Sequence, residues 1–203
     1  MSRVKPADTR TRLLDAAARL LVERGYHQVG MEEIARAAGV SRQAVYQGHF
    51  ASKADLLLAL ARRLDDAPAV VAQIRRIEHA TDAVDALDLS VEVVASIERE
   101  IHDIARVFEA ARLDDPAFEA VWQDRMAQRR RGAAHVVEWL EREGRLADGW
   151  TQDEAVDFLW TLNSVWVYQA LVIERGWPWD RYIERLQAIA RAALLRPAEG
   201  GLS

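Results

Sequence analysis

The stretch that decides the fold is MEEIARAAGVSRQAVYQGHFASK, residues 31–53 of a 203-residue chain. Its first part carries apolar side chains at helical spacing, at Met31, Ile34, Ala35 and Ala38. This spacing predicts a short helix, and Gly39 after it supplies the backbone freedom for a sharp turn. Ser41 can cap a second short helix that begins at Arg42. Together these features predict a helix-turn-helix.

The second helix of this pair has an apolar side, at Val45, and a polar side. The polar set that faces outward is Arg42, Gln43, Tyr46 and Gln47. Arg can make a bidentate contact with guanine and Gln with adenine, while Tyr, His and Lys can hold phosphates. The pattern suits DNA binding, although any small helical hairpin with a solvated polar face has the same pattern.

The charge distribution favours a polyanion partner for the N-terminal part. The whole chain has a net charge of -5, yet residues 1–60 carry nine basic and six acidic side chains. A positive segment on an acidic body suggests a local polyanion-binding surface, and a chance fluctuation is the alternative. The chain has no cysteine, which excludes a disulfide scaffold, thiolate zinc sites and cysteine nucleophiles.

Helical periodicity continues on both sides of the central stretch. A first helix is predicted from Asp8 to Arg24, with Asp8 as its N-cap and Gly25 as its C-cap. A fourth begins at Lys53 and is capped by Ser52. After a break at Pro68, further helices are predicted at 83–113, 116–143, 152–175 and 179–195. The expected fold class is all-α.

Several stretches of the N-terminal part carry a family resemblance. They are LLDAA at 13–17, Gly25-Tyr26, IARAAGVSR at 34–42, Val45-Tyr46 and HFASKADLL at 49–57. In this order and spacing, residues 10–60 resemble the DNA-binding domain of the TetR family of transcriptional regulators. The resemblance implies a homodimer in which a helix-turn-helix domain, residues 1–52, binds operator DNA. It implies that a helical body, residues 53–203, binds an effector and forms the dimer.

The resemblance also implies a set of DNA-binding residues. These are Ser41, Arg42, Gln43, Ala44, Tyr46, Gln47, His49 and Lys53. Two departures from the family pattern affect this surface. Gly30 stands where the family has a Ser or Thr that caps the second helix and touches a phosphate. Two residues, Gln47 and Gly48, separate the Tyr from the His-Phe pair where the family has one, and a helix-end bulge or a glycine cap could absorb the extra residue.

Two apolar stripes in the body suggest self-association. The first comprises Phe158, Leu162, Val165, Gln169 and Val172, and the second comprises Tyr182, Leu186, Ile189 and Ala193. Two such helices from each of two chains could form a four-helix dimer interface. The alternative is that both stripes face the core of a single chain.

All seven tryptophans lie in the body, which favours a pocket for an apolar or flat ligand. The candidate effector-binding residues are Phe108, Trp122, Trp139, Phe158, Leu162 and Trp166. Core and interface packing is the alternative for each of them. Trp177 and Trp179 flank Pro178 and are expected to pin helix ends.

Other chemistry is sparse in this sequence. Glu98 and His102 are four residues apart on a helix, but a pair without a third ligand is usually a solvated face, so no metal is expected. The run Arg129-Arg130-Arg131 is interpreted as a solvated helix face. No nucleophile motif or phosphate-binding glycine loop is present, so neither an enzyme nor a cofactor is expected.

The uncharged stretch from Phe158 to Ile173 is 16 residues long, shorter than the roughly 20 apolar residues that a membrane span needs. It predicts a buried helix, and no signal peptide is visible, so a cytoplasmic protein without membrane contact is expected.

Three functional classes remain, and the favoured one is a ligand-responsive DNA-binding regulator, most simply a repressor. The second is a helical small-molecule binder of the same fold whose DNA contacts are impaired, for which the insertion at Gly48 is the supporting feature. The third is a helical enzyme that uses the aromatic pocket.

Overall fold

The computed structural model describes residues 6–197, without the side chains of residues 6–8, Ala44, Gln47, Gly48, Asp114, Ala117 and Val121. The N-terminal helices are α1 (Pro6–Arg24), α2 (Met31–Ala37), α3 (Arg42–Gly48) and α4 (Lys53–Asp65). Then follow α5 (Pro68–Glu78), α6 (Ala83–Asp114), α7 (Pro116–Arg142), α8 (Gln152–Leu162), α9 (Val165–Tyr168), a π-helical turn (Gln169–Glu174) and α10 (Trp179–Leu194). The predicted all-α class is confirmed.

The structure confirms most of the predicted helix caps. Gly25 has a φ of +82° at the end of α1, and the Ser52 hydroxyl accepts a hydrogen bond from the Asp55 amide at 3.0 Å. The prediction that Asp8 caps α1 is wrong, because α1 begins at Pro6. Proline suits the first turn of a helix, where its missing N–H has no intrahelical partner. Helix α5 was not predicted, since Pro68 had been interpreted as a break and is in fact a helix start.

The described chain forms two compact units. The first contains residues up to Ala67 together with Ile101–Asp124, and the second contains Pro68–Glu100 and the residues from Arg125 onward. Helices α6 and α7 each contribute to both units. Helix α4 thus groups with the N-terminal helices, and the functional boundary proposed after residue 52 remains a prediction.

The first unit has a core of leucines and isoleucine from the N-terminal helices. Its fully buried side chains include Leu13, Leu21, Ile34, Leu56, Leu57 and Leu60. Arg63 on α4 adds an ion pair to Asp15 on α1 at 2.6 Å. Helices α1 and α4 therefore form a platform that positions the α2–α3 pair.

The second unit is built around α10. Its fully buried members include Leu87, Leu140, Leu159, Tyr182 and Leu186. The Trp150 indole N–H donates to the Ala193 carbonyl at 2.7 Å, and Thr151 and Glu154 form a capping box at the start of α8. Polar contacts thus fix the ends of the helices that the apolar core holds together.

The predicted continuous helix 152–175 is interrupted. Helix α8 ends at Leu162, Asn163 leaves the helical region at ψ 48°, and Ser164 caps α9. The Asn163 carbonyl, freed from the helix, accepts a hydrogen bond from the Arg129 guanidinium at 2.7 Å. A polar group from a neighbouring helix therefore stabilises a break that apolar spacing alone could not indicate.

The sequence predicts that the stretch from Phe158 to Ile173 is buried, and the structure shows how much of it is. Gln152–Glu174 is long and apolar enough to cross a membrane by length and composition, and 33% of its most apolar window is buried. The predicted stripe does face inward, since Val165 is buried and Phe158, Leu162 and Val172 pack against the core of the second unit. Trp166 and Ile173 lie off the stripe and are 39% and 49% exposed.

Candidate functional site

The turn between α2 and α3 is held by an arginine from α1. The Arg12 guanidinium donates to the Ala38 carbonyl and, at 3.2 Å, to the Gly39 carbonyl. Gly39 has a φ of +66°, and a Cβ there would lie 2.7 Å from the Arg12 guanidinium. The positive φ therefore favours glycine at this turn, whereas the guanidinium, at the end of a flexible side chain, could shift to make room for a Cβ.

Helix α3 presents the predicted polar surface. Val45 is fully buried, whereas Ser41, Arg42 and Gln43 are exposed and Tyr46 is 43% exposed. The Arg42 guanidinium pairs with the Glu32 carboxylate on α2 and lies 5.8 Å from the centroid of the Tyr46 ring. Both partners of the ion pair are largely exposed, so water weakens it and a base edge or phosphate can replace it.

Two members of the predicted surface cannot be placed. The side chains of Ala44 and Gln47 lie outside the described part of the structure. For both residues a DNA contact therefore remains a prediction from the sequence.

Helix α3 includes the extra residue after Tyr46. The helix continues to Gly48, and the amides of His49 and Phe50 both donate to the Val45 carbonyl at 3.0 Å. The second of these bonds spans five residues, which is the geometry of a helix-end bulge. The bulge alternative therefore describes how the chain accommodates the insertion.

The bulge carries His49 to a half-buried position against α1. Arg10 on α1 stacks over the Phe50 ring at 4.8 Å and donates to the His49 carbonyl at 3.5 Å. The end of α3 is thereby attached to the first helix, and His49 has less exposed surface than Arg42 or Gln43.

Lys53 is occupied within the first unit. Its ammonium group donates to the Tyr26 carbonyl and lies 3.7 Å from the centroid of the Tyr26 ring. Burial lowers the pKa of Lys53, and the nearby Asp115 carboxylate opposes that shift. Lys53 thus stabilises the approach of α4 to the turn after α1, and its expected phosphate contact would require it to leave these partners.

Gly30 begins α2 without a side-chain cap. Its backbone is extended, at φ -98° and ψ 159°, and as a glycine it supplies no side-chain hydrogen bond to the amides of the first turn. A Cβ at this position would meet nothing within 4 Å. A serine could therefore be accommodated at position 30. The departure from the family pattern removes a hydroxyl group that could cap the helix, and steric crowding does not demand it.

The predicted effector residues are divided between the two units. Phe108 and Trp122 are buried in the first, where Phe108 packs on Phe118 at 5.5 Å and the Arg112 guanidinium lies over the Trp122 ring at 5.4 Å.

The other four effector candidates lie in the second unit. Phe158 packs on Trp150 at 5.2 Å, Leu162 is half-buried, Trp139 donates to the Glu143 carboxylate at 2.6 Å, and Trp166 meets Trp160 edge-on at 6.2 Å. These contacts give each residue a packing role, and an effector role remains a prediction.

The prediction that Glu98 and His102 lie on a solvated helix face is wrong, because both side chains are buried. Glu98 on α6 is only 2% exposed, and its carboxylate accepts from the Arg129 guanidinium. Burial raises the pKa of Glu98 to about 7, although Arg129 opposes the rise. The signal was present, because Glu98 extends a stripe of buried residues formed by Leu87, Val91 and Ala95.

The arginine run at 129–131 is therefore not a uniformly solvated face. The Arg129 guanidinium pairs with the Glu98 carboxylate and donates to the Asn163 carbonyl at the end of α8. The Arg130 guanidinium forms ion pairs with Asp157 at 2.6 Å and Asp153 at 3.1 Å, both on α8. The prediction of a solvated face is wrong for Arg129, whose partner Glu98 is buried, whereas Arg130 pairs with two exposed carboxylates at the surface.

Comparisons with known proteins agree with this architecture. Residues 13–60 match the family described as "Bacterial regulatory proteins, tetR family". The HTH-type transcriptional activator FasR of Mycolicibacterium smegmatis is 38% identical over 121 residues, which are 59% of this chain. The match spans 54% of the length of that relative, so about half of it has a counterpart here.

Two solved structures have the same fold at low sequence identity. A regulator from Saccharomonospora viridis, described in complex with choline, superposes with a TM-score of 0.76 at 24% identity, covering 94% of this chain and 99% of that one. NalD of Pseudomonas aeruginosa, the secondary repressor of the MexAB-OprM efflux pump, has a TM-score of 0.73 at 24% identity, covering 96% and 100%.

The matched family and the named relatives are regulators rather than enzymes, in accordance with the expectation from the sequence. The α2–turn–α3 geometry and the match over residues 13–60 identify these N-terminal helices as a DNA-binding domain of the tetR family of bacterial regulatory proteins, and the solved structures share the fold of the chain as a whole.

Proposed function

We propose that the protein is a cytoplasmic transcriptional regulator that binds a palindromic operator as a homodimer and responds to a small effector. The observation that carries the proposal is the exposed Ser41-Arg42-Gln43 corner at the start of α3, on a helix whose opposite side is buried through Val45. Residues at the N-terminal end of a recognition helix are nearest to base edges in the major groove.

A second copy of the chain is the proposed dimer partner. Trp166, Ile173 and Ile189 are 39%, 49% and 45% exposed, and exposed apolar side chains that form a contiguous patch mark interaction surfaces. They lie in the two segments that the sequence analysis assigned to self-association. A two-fold dimer would place two copies of α3 about one DNA turn apart.

The effector is proposed to be a small molecule with a mainly apolar or aromatic body. The support is the concentration of tryptophans in the helical body. The Saccharomonospora regulator, described in complex with choline, is a chain of the same fold with a small organic ligand. Release of DNA follows if the effector binds better to a dimer whose α3 helices are separated unsuitably for the operator. In its simplest form this makes the protein a repressor.

The second candidate is a ligand-binding protein of the same fold with impaired DNA binding. The engagement of Lys53 by Tyr26 and the bulge after α3 favour it, because both withdraw predicted phosphate contacts. The two candidates differ in whether any duplex is bound with sequence preference.

Selection of bound sequences from random duplex DNA tests the proposed function. An enriched palindrome, bound by the dimer, would support the regulator. Failure to enrich any sequence, together with binding of a small molecule, would favour the second candidate. Run-off transcription from an enriched site, with and without the protein, then distinguishes repression from activation.

A further inference from the structure

Among the described residues, buried polar atoms near the end of α8 lack hydrogen-bond partners: the acceptors Glu98 Oε2 and Asn163 Oδ1 and the donor Trp160 Nε1. The Arg129 guanidinium reaches both the Glu98 carboxylate and the Asn163 carbonyl. The second carboxylate oxygen of Glu98, Oε2, and the side-chain oxygen of Asn163, Oδ1, are buried with no hydrogen-bond partner. A buried acceptor without a donor is costly, and most for a charged group.

The electrostatics of the same place favour a positive group. Helix α8 ends at Leu162, so the negative end of its dipole lies next to Asn163. Burial disfavours the charged form of Glu98 in spite of Arg129, so one guanidinium does not replace the water that the carboxylate has lost. Two orphaned oxygens and a helix C-terminus call for an additional cationic donor.

The cluster lies nearest to the surface on the arginine side. Glu98 has a side-chain exposure of 3%, whereas the Arg129 side chain is 30% exposed. Aromatic rings lie near the cluster. The charge of Glu98 contributes to raising the pKa of Tyr182, and the Tyr182 ring centroid lies 5.9 Å from that of Tyr168. A ligand that enters beside Arg129 would place its polar head at the oxygens and its apolar part against the aromatic side chains of this unit.

From this arrangement we propose that Glu98 and Asn163 form the polar end of the effector site, and that the effector is a small protonated primary or secondary amine. Its N–H groups would donate to Glu98 Oε2 and Asn163 Oδ1. This inference rests on the proposed function, of which it specifies the ligand class. It also names residues outside the effector set predicted from the sequence.

Matched ligands provide a test that needs no variant. Thermal melting of the purified full chain would be measured with millimolar propylamine, benzylamine and cyclohexylmethylamine. The corresponding alcohols and carboxylates serve as controls of similar shape. At least one amine is expected to raise the melting temperature and to bind at least about tenfold more tightly than its alcohol and its carboxylate. Equal shifts from the three classes, or no shift from any amine, would overturn the proposal and assign the oxygens to water.

Two variants locate the site. Glu98→Gln keeps the shape and removes the charge, and it is expected to weaken binding of the best amine by about tenfold or more. Glu100→Gln changes an exposed carboxylate two residues away on the same helix and should leave amine binding unchanged. Equal amine binding by wild type and Glu98→Gln would contradict the assignment.

DNA binding by the same samples separates this inference from the proposed function. If the enriched operator is bound normally but amines show no preference, only the ligand assignment fails. If no operator is bound while amines bind through Glu98, the regulator proposal fails and the ligand site stands.

Discussion

At the scale of single residues, Arg42 and Gln43 should determine sequence preference. Arg42→Ala or Gln43→Ala is expected to cost about 1–3 kcal/mol of operator binding and to relax the preference at one base pair. Fluorescence anisotropy with operator and with random duplex at one salt concentration measures both effects. Equal losses on the two duplexes would instead make these residues phosphate contacts. Arg181→Ala, an exposed arginine on α10, is the control.

A separate prediction concerns the ion pair between Arg42 and Glu32. Each partner is at least 60% exposed, and exposed pairs contribute between about 0 and 1 kcal/mol. Glu32→Gln should therefore leave thermal stability nearly unchanged and tighten DNA binding, because it removes a negative charge and frees Arg42. Weaker DNA binding by this variant would show that Glu32 positions the arginine for its contact.

Glu98 should make stability depend on pH in a definite direction. Its pKa is about 7 in the folded chain against an ordinary value of 4.5. Between these values the folded protein binds more protons than the unfolded chain, so the free energy of unfolding falls as pH rises through this window. At about 1.4 kcal/mol per pKa unit the loss approaches roughly 3 kcal/mol. The charged group that acts on Glu98 is Arg129 from α7, while Tyr182 from α10, whose pKa is raised by burial and by Glu98, stays neutral in this window.

Urea unfolding at about pH 5 and about pH 8 measures this linkage. Other titrating groups also contribute, so the quantity to compare is the difference between wild type and Glu98→Gln. The wild type should lose more stability than the variant between the two pH values. Parallel pH profiles for the two proteins would contradict the assignment of this window to Glu98.

At the scale of secondary-structure elements, α2 should accept a better N-cap. Gly30 already has the extended backbone of a cap residue and open space around its Cβ position. Gly30→Ser should raise the free energy of unfolding by a few tenths to about 1 kcal/mol, through the cap and a less flexible unfolded chain. The added hydroxyl should also strengthen operator binding. Gly30→Ala, which lacks the hydroxyl, separates the cap from the backbone effect.

Elements were predictable from sequence where local chemistry determines them. The glycines at 25 and 39 and the Ser52 cap act within a few residues, and the structure confirms them. The break at Asn163 was not predictable, because it depends on Arg129, which is distant in the sequence. The same holds for Lys53, whose family role suggested a phosphate contact and whose ammonium is held by Tyr26.

At the scale of the whole molecule, assembly should depend on apolar side chains that the single chain leaves exposed. Val165 is buried within the chain, so a charge there would unfold the protein and say nothing about the dimer. Ile173 is 49% exposed, and Ile173→Glu should yield a folded monomer, because an unpaired charge in an apolar interface costs several kcal/mol. Leu113→Glu is the matched control, since Leu113 is 73% exposed but lies outside the two proposed dimer segments.

This prediction is tested by sedimentation at micromolar concentration, which measures the oligomeric state, and by circular dichroism, which measures the helix content. The wild type and Leu113→Glu should sediment as dimers, and Ile173→Glu as a monomer with unchanged helix content. Operator affinity should fall steeply in that monomer, because two half-sites can no longer be bound by one assembly and the advantage of linked binding is lost. If the Ile173→Glu protein is still a dimer, Ile173 does not lie in the dimer interface. A monomeric wild type that still binds a palindrome tightly would show that the two copies meet only on DNA.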